Sequence, residues 1–157
     1  YIALGVEEGA KLVVDGRGLK VPGHDKGFFT GGTLFDHVTP AMSIYRDEIF
    51  GPVLSVVRAD SLADAIDLVN ANPYANGAAI FTRSGYAARR FQQDIEIGMV
   101  GVNVGVPVPR EPFSFGGFNS SKFGHGDITG WDGFRFWSRP KKVTEKWAAA
   151  SDASWMS

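Results

Sequence analysis

Hydrophobic and polar positions alternate along the chain in short blocks whose periods predict strands and helices in turn. Residues 1–8 (YIALGVEE) read as the last turns of a helix closed by Gly9. Lys11, Leu12, Val13 and Val14 read as a short strand entering a tight turn at Asp15-Gly16, where glycine would supply a positive φ. Residues 17–26, with Pro22 and Gly23, read as loop. A second strand is expected across Phe28-Phe29-Thr30 and Thr33-Leu34-Phe35, with a bulge or bend at Gly31-Gly32. Residues 53–58 (VLSVVR) are too apolar for a half-exposed strand and too short for a helix, which predicts a strand buried on both faces after Pro52.

The helical period is clearest after Ser61, an N-cap with Asp64 three residues on, where Leu62, Ala65, Ile66 and Val69 fall on one face. Asn70-Ala71-Asn72-Pro73 stops this helix, because proline disfavours the α conformation before it. Residues 77–82 (GAAIFT) read as the next buried strand. Ser84 caps a second helix, with Ala87, Ala88, Phe91 and Ile95 inward, closed by Gly98. Residues 99–104 (MVGVNV) form a third strand, followed by the long loop 105–118.

Two consecutive βαβ units with short connections predict parallel strands with right-handed crossovers. The fold class is therefore α/β: an open, mainly parallel sheet with helices on both faces, in which ligands meet the carboxyl ends of the strands. Residues 141–147 (KKVTEKW) alternate like a half-exposed strand that lacks a sheet of its own, and 148–157 resemble a frayed tail.

Composition narrows the function classes. Sixteen Lys and Arg against 17 Asp and Glu leave a net charge of −1 with no basic block, which argues against a nucleic-acid partner. Zero cysteines exclude a disulfide framework, a thiolate zinc site and a Cys nucleophile among these residues. No apolar run approaches the roughly 20 residues that span a bilayer, and no secretory pattern opens the chain, so a soluble intracellular protein without a membrane partner is expected. The missing initiator Met and the helix-like opening suggest a piece of a longer chain.

The local motifs are mostly bland. Gly124-His125-Gly126 begins a phosphate-loop pattern but has Thr129 where the last glycine belongs, so these glycines read as turns. His24, His37 and His125 lie too far apart for a helical metal-ligand spacing, and no metal site is expected. Asn119-Ser120-Ser121 fits a glycosylation sequon without a secretory context.

The segment 46–53 (RDEIFGPV) differs, because it sets a carboxylate and an aromatic two residues apart just before a predicted strand. Taken alone, Glu48 reads as a solvated loop charge and Phe50 as a core aromatic. Glu-Ile-Phe-Gly-Pro-Val nevertheless resembles, without departure, a hallmark of the aldehyde dehydrogenase superfamily. The Ala65-Ile66 helix, the Asn-Pro-Tyr-Ala-Asn-Gly turn at 72–77, Ile80-Phe81-Thr82 and Gly98-Met99-Val100-Gly101-Val102-Asn103 follow in the matching order, so the resemblance covers 1–147. Gly101 to Val104, Val106-Pro107-Val108-Pro109 and Phe113-Ser114-Phe115 are similar to the methylmalonate-semialdehyde, coenzyme A-acylating branch.

The resemblance implies a catalytic-domain portion at 1–137, an oligomerisation strand at 138–147 that joins a neighbouring subunit, and a flexible tail at 148–157. It gives Glu48 a hydrogen bond to the ribose beside nicotinamide and Phe50 a place by the nicotinamide ring. Phe115 would line the substrate funnel, against the alternative of a loop-packing aromatic. It further implies NAD as cofactor, coenzyme A as acyl acceptor, a small aldehyde as substrate and a homo-oligomer, dimer or tetramer. The location would be cytoplasmic, or the mitochondrial matrix in a eukaryote. In that family a Cys thiolate attacks the aldehyde; the Cys and the NAD-binding domain precede the position matching Tyr1, so no catalytic residue is expected here and the fragment alone should be inactive. Two alternatives stay open: a hydrolytic dehydrogenase that uses water instead of coenzyme A, and a truncated non-catalytic binding or regulatory module. Asn119 departs from the Lys common in other branches.

Overall fold

The structure, a computed structural model, describes residues 1–147. It divides into two compact units, Tyr1–Ala65 and the residues from Ile66 onward.

The first unit runs α1 (Ile2–Glu7), β1 (Lys11–Val14), β2 (Thr33–Asp36), α2 (Ser43–Arg46) and β3 (Val53–Ser55). The expected opening helix is present, and Gly9 follows it at φ +95°. Strands β1 and β2 pair antiparallel with Leu12 opposite Phe35, and β2 pairs parallel with β3, placing Phe35 opposite Ser55. One face of this three-stranded ladder carries the core. Phe35 is completely buried there among Ala10, Val38, Met42 and Ile44, with Ile2, Leu12 and Val53 packed around them. Helix α1 lies close because residue 5 is glycine: a Cβ there would come within 2.9 Å of the Phe35 ring and 3.0 Å of Ile44.

Three expectations for this unit are corrected. Residues 28–30 join no ladder and Phe28 is fully exposed, so the second strand is only Thr33–Asp36; the register shift falls in β1, between Leu12 and Val14, instead of at Gly31-Gly32. Gly16 does not take a positive φ. Its lack of a side chain serves a close approach: Gly31 N–H donates to the Gly16 carbonyl at 2.7 Å, and a Cβ on Gly16 would overlap the Gly31 backbone. The strand after Pro52 ends at Ser55, and Leu54 is 64% exposed, since β3 is the last strand of its ladder and only one face meets the core.

Helix α3 (Leu62–Asn70) starts in the first unit and continues into the second, which adds β4 (Tyr74–Ala75), β5 (Gly77–Ile80), α4 (Gly85–Asp94), β6 (Met99–Val102), β7 (Phe118–Asn119) and α5 (Gly130–Trp137). Both predicted caps form. Ser61 Oγ accepts from Asp64 N–H at 3.1 Å and donates to its carboxylate at 2.7 Å, and Ser84 Oγ accepts from Ala87 N–H at 3.2 Å. Helix α4 stops at Asp94, before Gly98, with Ile95 extended. Asn70 ties the two helix ends together, donating to the Asp94 carbonyl and accepting from Glu96 N–H, each at 2.9 Å.

Strands β5 and β6 pair in parallel, as the βαβ pattern predicts, whereas β4 and β7 pair antiparallel. Among the described residues the strands form three ladders, β1-β2-β3, β4-β7 and β5-β6, in place of one open, mainly parallel sheet. Strand pattern fixes which residues face inward but not which strands share a ladder. Residues 138–147 take part in no ladder and 141–147 are exposed throughout, so the terminal strand is absent here; the expected tail at 148–157 lies outside the described residues. No described helix is long and apolar enough to cross a membrane.

Candidate functional site

In the first unit the site begins with a single helical turn. Helix α2 has Met42 at its N-cap, which offers no side-chain acceptor. Glu8, 35 residues earlier and just beyond α1, fills that role: its carboxylate accepts from Ser43 N–H at 2.7 Å and from Ser43 Oγ at 2.6 Å. These bonds hold the Glu8 carboxyl below the ordinary carboxylate range, with the Ser43 hydroxyl as the largest cause. At the other end of α2, Asp47 turns extended while its N–H still donates to the Ser43 carbonyl at 2.9 Å. The Tyr1 hydroxyl donates to the Asp47 carboxylate at 3.1 Å.

The chain leaving Asp47 presents Glu48 and Phe50 outward. Glu48 is exposed, and among the described residues no hydrogen bond or ion pair is found at its carboxylate. Phe50 is 93% exposed and adopts φ +55°, a left-handed conformation unusual for a bulky residue. The reading of Phe50 as a core aromatic is therefore wrong. Beyond it, the Pro52 carbonyl accepts from Thr33 N–H at 2.8 Å, which anchors the segment to β2. A mostly apolar cavity of about 440 Å³ adjoins it, lined by Ile2, Ile49, Gly51, Pro52 and Arg17 among others. Arg17 there is engaged by Asp15 through two nitrogens, at 2.7–3.1 Å, and this pairing lowers the Asp15 pKa to about 2.

In the second unit Phe115 is 43% exposed on the long loop. Its N–H donates to Thr129 Oγ1 at 3.3 Å, and Thr129 Oγ1 donates to Asp127 at 3.3 Å. Ser114 Oγ donates to the Thr129 carbonyl at 2.8 Å. Lys122 lies 3.6 Å from Asp127. Burial would raise the Asp127 pKa, but the backbone N–H of Ile128, the Lys122 charge and the Thr129 bonds outweigh it and lower the pKa. Ser114 also borders a cleft of about 400 Å³ between β6 and the Val106-Pro107-Val108 segment. Asn103 closes the end of the β5-β6 ladder, accepting from Thr82 N–H at 2.9 Å and donating to the Thr82 carbonyl at 3.1 Å.

Glu48 and Phe50 thus share one segment of the first unit, and Phe115 belongs to the second. Sequence reading did not find Glu8, Tyr1, Thr129 or Asp127. For Thr129 a local signal exists, since Asp127-Ile128-Thr129 is an Asx/ST-type turn ahead of a helix. Glu8 has none, because its partner is distant in sequence. The three histidines are exposed, and no group of three His, Cys, Asp or Glu gathers among the described residues.

Two residues apart on one exposed segment, Glu48 offers two acceptor oxygens and Phe50 an uncovered aromatic ring. An ionised carboxylate only accepts hydrogen bonds, so it suits a vicinal diol, and an exposed ring suits a flat heteroaromatic partner. These groups fit the nicotinamide riboside half of NAD.

Residues 1–143 match the model of the aldehyde dehydrogenase family. The chain is 58% identical over 147 residues to a malonate-semialdehyde dehydrogenase of Pseudomonas aeruginosa, covering 94% of the chain and 30% of that protein. It is 52% identical over 146 residues to a probable mitochondrial, acylating methylmalonate-semialdehyde/malonate-semialdehyde dehydrogenase of Drosophila pseudoobscura pseudoobscura, covering 93% of the chain and 28% of that protein. Among solved structures, a putative methylmalonate-semialdehyde dehydrogenase from Sinorhizobium meliloti 1021 complexed with NAD superposes with a TM-score of 0.90 at 54% identity, covering 96% of this chain and 31% of that one. The chain therefore spans about 30% of the length of the curated relatives it matches.

Proposed function

The chain belongs to the aldehyde dehydrogenase family, and from that premise we propose that it forms the nicotinamide-side and substrate-side portion of an NAD-dependent, coenzyme A-acylating dehydrogenase of malonate or methylmalonate semialdehyde. The observation that carries this reading is the outward presentation of Glu48 and Phe50, uncovered and anchored from both sides of their segment.

In the proposed reaction the aldehyde, NAD⁺ and coenzyme A give an acyl-CoA thioester, NADH and a proton; with methylmalonate semialdehyde the carbon–carbon bond to the carboxylate also breaks, carbon dioxide leaves, and that carbon takes up the proton to give propionyl-CoA. When bound, NAD supplies the acceptor of the aldehyde hydride. Glu48 would hold the ribose hydroxyls next to nicotinamide, Phe50 would limit the positions open to the ring, and Phe115 would shape the approach of the aldehyde. The attacking thiolate must come from outside these residues, because the chain contains no cysteine. We therefore infer that the 157 residues alone do not turn over aldehyde. Support for the acyl acceptor comes from the word acylating in the name of the Drosophila relative. Residues 138–147 would add a strand to a neighbouring subunit of a homodimer or homotetramer, in the cytoplasm or the mitochondrial matrix.

The test is NADH formation from malonate and methylmalonate semialdehyde by a complete dehydrogenase carrying these residues, with and without coenzyme A. Turnover that depends on coenzyme A, with acyl-CoA as product, supports the proposal. Equal turnover without it points to a hydrolytic enzyme. No turnover with any semialdehyde would leave a binding or regulatory module and sink the enzyme reading.

A further inference from the structure

Helix α1 holds both ends of α2. Glu8, at the C-terminal end of α1, accepts twice from Ser43, the first residue of α2, at 2.7 and 2.6 Å. Tyr1, at the N-terminal end, donates to Asp47, the residue that terminates α2, at 3.1 Å. Gly5 between them packs closely, since a Cβ there would come within 2.9 Å of the Phe35 ring and 3.0 Å of Ile44. The two side-chain contacts and this close packing tie α1 to α2. The exposed Glu48 and the left-handed Phe50 are the second and fourth residues after α2.

A bulky residue at positive φ is strained and persists only where its surroundings over-determine it. Four residues of α2 cannot supply that constraint alone, because one isolated helical turn is unstable. The bonds to Glu8 and Tyr1 can, since they fix both ends of the turn against the core. A core-packing role would need neither the Glu8 carboxylate nor the Tyr1 hydroxyl.

We propose that Glu8 and Tyr1 are positioning residues, whose grip on Ser43 and Asp47 fixes the α2 turn so that Glu48 and Phe50 meet the nicotinamide half of NAD in one pose. The functional half of this inference rests on the cofactor reading above; the structural half does not.

Hydrogen exchange on the full chain tests the structural half. Glu8→Ala and Ser43→Ala should speed exchange of the Glu48 to Val53 amides at least tenfold while the β1-β2 amides stay unchanged. Unchanged exchange at 48–53, or an equal increase throughout the first unit, would overturn the positioning role. Steady-state kinetics of the complete dehydrogenase test the functional half. Glu8→Ala should raise KM for NAD by about tenfold with KM for the aldehyde within about twofold, and Ser43→Thr, which keeps the hydroxyl, should retain the wild-type KM. An active enzyme whose variants keep the wild-type KM for NAD overturns the proposed role at the cofactor. A wild type that makes no NADH while exchange responds as expected overturns the cofactor reading and leaves the α1 bracket standing.

Discussion

Gly98 and Gly117 meet backbone to backbone: a Cβ built on Gly98 would overlap the Gly117 amide, and one on Gly116 would overlap the Gly98 carbonyl. The contact seats the Phe115 loop against the start of β6. Neither side has a flexible side chain that could yield, so Gly98→Ala must move one backbone segment. It should cost about 1–3 kcal/mol, measured as a lower urea midpoint, with cleavage by protease rising first near Phe113 and Phe115. A stable variant with an unaltered loop would show that the two segments do not touch in solution.

Phe35 and Phe50 are aromatic residues with opposite duties. Phe35 is fully buried, so Phe35→Ala should lose about 3–5 kcal/mol of stability. Phe50 is 93% exposed and strained at φ +55°, so Phe50→Gly should leave stability unchanged or raise it by up to about 1 kcal/mol, because the relief of strain offsets the added chain entropy. In a complete dehydrogenase the same Phe50→Gly change should weaken NAD binding by about tenfold, the loss of one aromatic contact. Denaturant melts and NAD titration, run on the same variant, check both halves. A large loss of stability would mean that Phe50 packs against protein instead of facing the cofactor.

What was legible in the sequence was local. Ser61 and Ser84 announce their helices because a cap and its recipient N–H lie three residues apart, and β5, α4 and β6 follow from period alone. What stayed hidden were mostly contacts whose partners lie far along the chain. Gly16 reads as a turn glycine until Gly31 is seen against it, and Glu8 reads only as the end of the opening helix until Ser43 is seen within its reach. Helix α5 escaped notice because Gly130 and Gly133 lower helix propensity; in the structure a Cβ on Gly133 would overlap the Ile128 carbonyl, so the glycine is there for space. Asn119 gains an account as well: it sits at φ +51°, where Asn is tolerated better than most side chains. Glu48 and Phe50 were legible through resemblance only, and their exposure was not.

Acid should weaken the first unit in a defined window. Arg58 forms two bonds to Asp36, at 2.9 and 2.6 Å, and holds that carboxyl far below its ordinary value; Arg17 holds Asp15 at about 2; Ser43 lowers Glu8. Each folded-state pKa is depressed, so the stabilisation is fully present above the unfolded carboxylate value of roughly 4 and is lost as pH falls through the folded values. The melting temperature should be flat above pH ~5 and decline below it. Asp36→Asn should flatten that decline and lower the plateau. Salt should shrink the difference, because Arg58 is 67% exposed. A wild type and an Asp36→Asn variant with parallel pH profiles would show that the pair forms equally in the unfolded chain.

The segment 141–147 has the alternation of a strand and, among the described residues, joins no ladder. Val143 is 65% exposed and Trp147 87% exposed, and the indole N–H donates to Glu145 in the same segment, at 3.2 Å. In the assembly proposed above, adding this segment to a sheet edge of another subunit would cover its two large apolar side chains and pair its backbone groups. Val143→Pro removes one N–H from such a strand and clashes with its ladder, while lying outside the first compact unit, Tyr1–Ala65. In a complete dehydrogenase it should lower the assembly mass, read by light scattering, to that of a smaller oligomer. The melting transition of the first unit should stay in place in the 157-residue chain. An unchanged assembly mass would assign the subunit contact to another surface and leave residues 138–147 without a role in oligomerisation.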